Sequence, residues 1–395
     1  LLPFALLSRL DFPRASLLFL LLQIAALALV AWLLARATRV SIVATASALL
    51  LGGAIAIFNG QPFPFALAAL CAAAFAARNG SYISASVFAA GAAIEPHLAL
   101  PAIVSLAYAL PRTRIPLTLA IATLALASVA TLGIATNLEY FTRVLPAHAL
   151  SEAASGNQYS LTTVLIHLGT PIERALHVAD VQYAIFSIVG ILVATKLART
   201  CAAPEFIVLI PPLFASLGGP FIHQTQTTIA IPALFALAAR IPRYRVPFGF
   251  ALLFVAIPWP DASDINPIAG ACAIAIAAVP IAFTLFRPDF RTIFLAIVAL
   301  FAVDYGLRAY RAHYPTTAYR PGAAIAAVAG PDRLAEDTWA AYETVKETRD
   351  ADIKLPVRAP TWFALGAAIA TTLVAVARRP GASPRSSRRS HEARV

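Results

Sequence analysis

The sequence contains no methionine and only three cysteines, and 12% of its 395 residues are charged. Soluble domains carry about 25% charged residues. With half that share and 60% hydrophobic residues, the chain has too little polar surface to cover a water-soluble body. Cys71, Cys201 and Cys272 are scattered, and none lies at metal-ligand spacing from another Cys or a His. Neither a disulfide framework nor a metal site is therefore expected. The phosphate-binding P-loop, the dinucleotide glycine fingerprint, HExxH and GxSxG are all missing, so the usual soluble-enzyme readings find no support and no cofactor is expected. A translated chain starts with Met, whereas this one starts with Leu1. An upstream segment is expected to precede it.

What the sequence has in abundance is apolar blocks. Residues 15–34 and 115–134 each match the thickness of a bilayer's hydrocarbon core at about 1.5 Å rise per residue. In hydrocarbon only helices satisfy their own backbone polar groups without closing a barrel. The fold class is thus an all-α polytopic transmembrane helical bundle. About 13 apolar segments are present, at 15–35, 41–57, 64–77, 82–94, 98–110, 115–134, 182–198, 204–217, 222–239, 246–258, 266–285, 292–308 and 361–377. Several are too short to span and meet at Glu95-Pro96-His97 or Gly218-Gly219-Pro220. Such pairs read as broken helices, whose irregular backbone must be buried or line a cavity.

The net charge of +11 is a topology signal rather than a nucleic-acid signal. Arg36, Arg39, Arg78, Arg112, Arg114, Lys196, Arg199, Arg240, Arg243, Arg245, Arg287 and Arg291 all fall on one side if every segment crosses. That side is expected to be cytoplasmic, with Arg9 and Arg14 as exceptions. The organisation is a multi-span domain over 1–308 with an outer loop at 135–181, an extracytoplasmic loop region at 309–360 and a last transmembrane helix at 361–377. A basic, disordered cytoplasmic tail follows at 378–395. The localisation expected is a multi-pass protein of the cell membrane, in contact with its lipids.

The same topology puts Asn59-Gly60-Gln61, Glu95-Pro96-His97, Gly156-Asn157-Gln158 and His223-Gln224 at outer ends of segments. Ionisable groups at a membrane edge are functional candidates. Each cluster also has a plainer reading: a helix cap and turn for Asn59-Gly60, a solvated hairpin tip for Glu95 and His97, interhelical hydrogen bonding for His223 and Gln224. Asp261 and Asp264 beside Trp259 read as a wet interfacial loop with an aromatic anchor.

Asn59-Gly60-Gln61 opening an apolar helix, then Arg78-Asn79-Gly80 and the run 84–100, resembles glycosyltransferase family 87. Gly156-Asn157-Gln158-Tyr159-Ser160-Leu161 is similar to that family's Asn-Gln-Ser-Leu region, and Gly219-Pro220 before His223 to its later Pro…His segment. Leu2-Pro3-Phe4-Ala5 looks like the end of the stretch after its Tyr-Pro-Pro motif. The resemblance runs over about residues 1–240. It departs at Glu95, where the family usually has Lys.

The resemblance implies a GT-C-type enzyme that moves a hexose, mannose for preference, from a polyprenyl-phosphate donor to a lipid or glycan acceptor on the extracytoplasmic face. The family's proposed catalytic acid lies in a first outer loop upstream of Leu1, so this chain would be catalytically incomplete unless Glu95 substitutes. His97 and His223 are the candidates for the leaving phosphate. Asn59, Gln61, Asn157, Gln158 and Gln224 are candidates for hydrogen bonds to sugar or phosphate, with Arg143 as a further phosphate partner. A secondary transporter of a small polar or anionic solute and a non-catalytic membrane scaffold remain as alternatives.

Overall fold

A computed structural model describes residues 7–146, 149, 153, 158–220, 222–286, 289–313 and 335–378, with the backbone alone over 335–354. Asn157, the tail 379–395 and much of the 309–360 region lie outside the described residues.

Among the described residues the chain is all-helical, with no strand. The helices are α1 (Phe12–Thr38), α2 (Ile42–Phe58), α3 (Phe63–Arg78), α4 (Tyr82–Gly91), α5 (Pro96–Ala109), α6 (Arg114–Glu139), α7 (Leu161–His167) and α8 (Ile172–Thr200). They continue as α9 (Phe206–Ala215), α10 (Ala230–Arg240), α11 (Arg245–Val255), α12 (Trp259–Ala262), α13 (Pro267–Phe286), α14 (Phe290–His313) and α15 (Ala335–Ala377). Among the described residues six stretches are long and apolar enough to cross a membrane: Phe12–Thr38, Pro111–Val144, Ile172–Thr200, Pro267–Phe286, Phe290–His313 and Leu355–Ala377. Shorter apolar helices are Ile42–Phe58, Phe63–Arg78, Tyr82–Ile94, Pro96–Ala109 and Phe206–Ala215.

Local sequence explains the boundaries. Prolines stand in the first turns of α1, α3 and α5, where the missing N–H would have had no intrahelical partner. Gly60 and Gly80 take left-handed backbone (φ 63° and 72°), which lets the chain reverse within the short connections 59–62 and 79–81 between α2, α3 and α4. The pair α4–α5 is broken by a 3₁₀ turn, Ala92–Ile94, just before Glu95. A second irregular stretch, the 3₁₀ segment Gln224–Ile229, leads into α10.

All ten residues of α9 are buried, Pro211 and Pro212 included. It packs against α8, α5, α3 and α10 and forms the centre of the bundle. By contrast, α6 buries only Leu117 and presents Ile115, Leu119, Leu126 and Leu132 outward, as a lipid-facing helix should. Ala66, Ala73, Ala74 and Ala77 of α3 are all buried, and such small residues let neighbouring helix backbones approach.

The bundle has two chemically different ends. Gln61 precedes α3 and Arg78 closes it; Thr225 to Thr228 precede α10 and Arg240 closes it. At the closing end, the buried Glu205 carboxylate accepts from Arg240 Nε (3.0 Å) and Nη2 (2.8 Å) and lies 4.0 Å from Arg78. Arg78 also donates to the Ala37 carbonyl. At the opening end, amides, histidines and carboxylates collect instead.

Candidate functional site

The opening end is assembled by hydrogen bonds between segments far apart in sequence. Gln61 sits in the α2–α3 turn. Its backbone carbonyl accepts from Gln23 Nε2 of α1 at 2.6 Å, and its side-chain oxygen accepts from the Thr225 hydroxyl. Gln226 joins two other elements. Its Oε1 accepts from the His223 backbone N–H at 2.8 Å, while its Nε2 donates to Glu95 Oε2 at 3.0 Å. Gln158 forms an isolated antiparallel bridge with His223. Its Oε1 accepts from the Ile222 N–H at 2.8 Å, and the Tyr159 N–H donates to the Ile222 carbonyl at 2.6 Å.

The result is a cavity of about 430 Å³ lined by Ala54, Ile55, Phe58, Asn59, Gln61, His223, Gln224, Thr225 and Asp261. Four nominated residues, Asn59, Gln61, His223 and Gln224, therefore meet on one wall system. Others stand behind it. Glu95 is half-buried against Gln226. The His97 carbonyl accepts from the Tyr183 hydroxyl of α8. Gln158 is fully buried and shapes the backbone on which His223 sits. Arg143 is not brought into this group: it lies exposed on a π-helical turn, Tyr140–Val144, and pairs with Glu139 at 3.4 Å. Asn157 lies outside the described residues.

Two contributors were not anticipated. Asp261, read locally as part of a wet loop, lines the cavity and accepts from Gln224 Nε2 at 2.5 Å. Its neighbour Trp259 is not an interfacial anchor. It is fully buried, stacks on Phe254 with ring centroids 5.5 Å apart, and donates from Nε1 to the Phe254 carbonyl at 2.9 Å. That buried ring fixes α12 and with it Asp261. The second is Arg358 of α15, fully buried, which donates to the Gln158 carbonyl at 2.7 Å. Trp362, one turn on, donates to the Tyr159 carbonyl at 3.0 Å. The last helix thus clamps the 158–160 segment against His223.

Glu95 lies between α4 and α5 and Asp261 on the four-residue helix α12, both outside the six long apolar stretches. Burial pushes the Glu95 carboxyl up to about 7, opposed by the hydrogen bond from Gln226. Burial likewise raises Asp261, opposed chiefly by the bond from Gln224. Raised that far, the Glu95 carboxyl can hold or accept a proton near neutral pH. Among the described residues no cluster of His, Cys, Asp and Glu is arranged to hold a metal.

A cavity with amides, an imidazole and a carboxylate, set at one end of a membrane bundle, suits a polar, hydroxyl-rich group presented at a lipid–water boundary. The model of glycosyltransferase family 87 matches residues 1–217, more than half of the chain. The chain belongs to glycosyltransferase family 87. No curated protein and no solved structure gives a match. This membrane glycosyltransferase carries part of its cavity beyond the matched region: His223, Gln224 and Asp261 all follow residue 217.

Proposed function

We propose that this glycosyltransferase moves a hexose, mannose for preference, from a polyprenyl-phosphate donor to a lipid or glycan hydroxyl. The site would be the cavity at the Gln61–His223 end, on the extracytoplasmic face of the cell membrane, in a GT-C-type arrangement. The observation that carries the reading is the convergence of Asn59, Gln61, His223 and Gln224 on one cavity. A prenyl tail must stay in the bilayer while its phosphate and sugar sit at the interface. A polar cavity at a bundle end, flanked by broken helices, meets that need. A midplane site would instead favour a transporter.

In this mechanism the amides of Asn59, Gln61 and Gln224 hydrogen-bond sugar hydroxyls. His223 donates to the phosphate oxygen as negative charge develops there. Gln226 and Glu95 hold His223 in place through its backbone. No metal or other cofactor has a role.

The test is transfer by the full chain in liposomes, with radiolabelled polyprenyl-phosphate mannose as donor and an extract of membrane lipids and glycans as acceptor. Labelled product is expected from this donor and not from nucleotide sugars. His223→Ala should lower kcat by about 10²–10³-fold, the usual effect of losing one donor to a developing oxyanion. Gln224→Ala should mainly raise the donor or acceptor KM. Full activity in both variants removes the cavity from the mechanism.

A further inference from the structure

Building on the transferase reading, we infer that Arg358 of α15 is a positioning residue for the reaction, acting on the phosphate through His223 without touching substrate itself. Arg358 is fully buried and lies near the start of the apolar stretch Leu355–Ala377. A guanidinium in a membrane helix is costly, and it is kept where it faces the bundle interior and finds partners there. Its position follows the family-matched residues 1–217, as His223 does.

The path from Arg358 to His223 is short. Arg358 Nη1 donates to the Gln158 carbonyl at 2.7 Å, and the guanidinium carbon lies 6.0 Å from the centre of the Tyr159 ring. Gln158 is joined to His223 by the isolated antiparallel bridge. Its Oε1 also accepts from the Ile222 N–H, and the Tyr159 N–H donates to the Ile222 carbonyl. Residues 158–160 belong to no helix, so no intrahelical ladder fixes them. Tertiary bonds do that work, and a shift of Gln158 carries His223 with it.

Trp362 supports the same grip. It donates to the Tyr159 carbonyl at 3.0 Å, and its ring meets the Tyr159 ring edge-on at 6.0 Å between centroids. Helix α15 also packs on α12, which carries Asp261. One helix therefore braces both the His223 and the Asp261 sides of the cavity lining.

A donor to developing charge works only at the right distance and angle. A misplacement of about 1 Å, even from a remote change, costs about 10²-fold in rate. Loss of the Arg358 bond should therefore appear in kcat, as a displaced His223, before it appears in substrate binding.

The experiment places Arg358→Gln, Arg358→Lys, Trp362→Phe and His223→Ala in the liposome assay, with Arg358→Gln also combined with His223→Ala. Arg358→Gln shortens the side chain and removes its charge. It should lower kcat by about 10²-fold, with a smaller effect on donor KM. Arg358→Lys keeps a charged donor without the planar fork and should recover part of that rate. In the His223→Ala background, Arg358→Gln should cost no more than about twofold further, the scatter of unlinked effects, because the group it positions is already gone. Trp362→Phe keeps the ring, loses the N–H and should show a smaller loss of the same pattern, which carries the test if Arg358→Gln does not fold. A second readout needs no donor. In a chain whose three cysteines are replaced by alanine, His223→Cys should react faster with a maleimide once Arg358→Gln is added. If the Arg358 and His223 losses multiply, or maleimide labelling is unchanged, the positioning role is overturned while the transferase reading stands. If wild type transfers nothing from the lipid-linked donor, the transferase reading and the catalytic role fall together, and the labelling rate alone decides the link between α15 and position 223.

Discussion

Gln226 shows how much one buried amide does. Its oxygen holds the His223 N–H and its nitrogen holds Glu95, so it links the α4–α5 break to the α10 entry. Replacing it by a similar-sized apolar side chain leaves a half-buried carboxylate without its donor. Hydrogen bonds to charged groups contribute about 1.5–3 kcal/mol, and stranding the partner adds desolvation. Gln226→Leu should therefore lower Tm and, by freeing His223, also lower kcat. A variant that melts like wild type with full activity would show that the bridge is dispensable. The sequence contained no signal for this residue. Its importance comes from partners 3 and 131 positions away, and long-range partners leave no trace in local composition. The same holds for Asp261 and Arg358. Asp261 sits beside Trp259 in a Pro-rich turn that reads as solvent-facing until the ring is seen to be buried. Arg358 falls in what hydropathy marks as a loop, but helix α15 runs through it.

At the scale of elements, much was legible. Each of the 13 apolar segments falls on a helix, and the predicted breaks at Glu95 and around Gly218–Pro220 coincide with irregular backbone. Periodic apolar content is a property of the segment itself, so it survives without tertiary knowledge. How closely two elements approach is not such a property. Gly52 of α2 is buried against the 3₁₀ segment 224–229, and a Cβ placed there would overlap the Thr228 methyl group. Thr228 has little freedom to yield, because its hydroxyl donates to the Thr225 carbonyl at 2.5 Å. Gly52→Ala should push α2 from this segment, loosen the Thr225–Gln61 bond and widen the cavity. Overpacking of this kind destabilises by about 1–3 kcal/mol. The expected readout is a lower Tm with a raised substrate KM; an unchanged KM would mean that α2 shifts without disturbing Gln61.

Over the whole molecule the two ends differ in kind, and that difference predicts an orientation. One end carries the Glu205–Arg240–Arg78 group, with Arg36, Arg39, Arg112, Arg114, Lys196, Arg199, Arg243 and Arg245 at the same ends of their helices. The other carries Asn59, Gln61, His223, Gln224 and Asp261 around the cavity. Basic residues in short connections are retained on the cytoplasmic side, and the excess here is on one end. The cavity should therefore open outward. The orientation can be read in cells from a chain whose three cysteines are replaced by alanine. Asn59→Cys, exposed on the cavity wall, should react with a membrane-impermeant maleimide added to intact cells. Arg243→Cys, exposed between α10 and α11, should react only after the membrane is opened. The reverse pattern would put the cavity in the cytoplasm, where the donor's sugar would have to be presented from the inner leaflet. Labelling of both sites in intact cells would mean that the helices do not all cross, and the two-ended arrangement would have to be rebuilt from re-entrant pairs such as α4–α5.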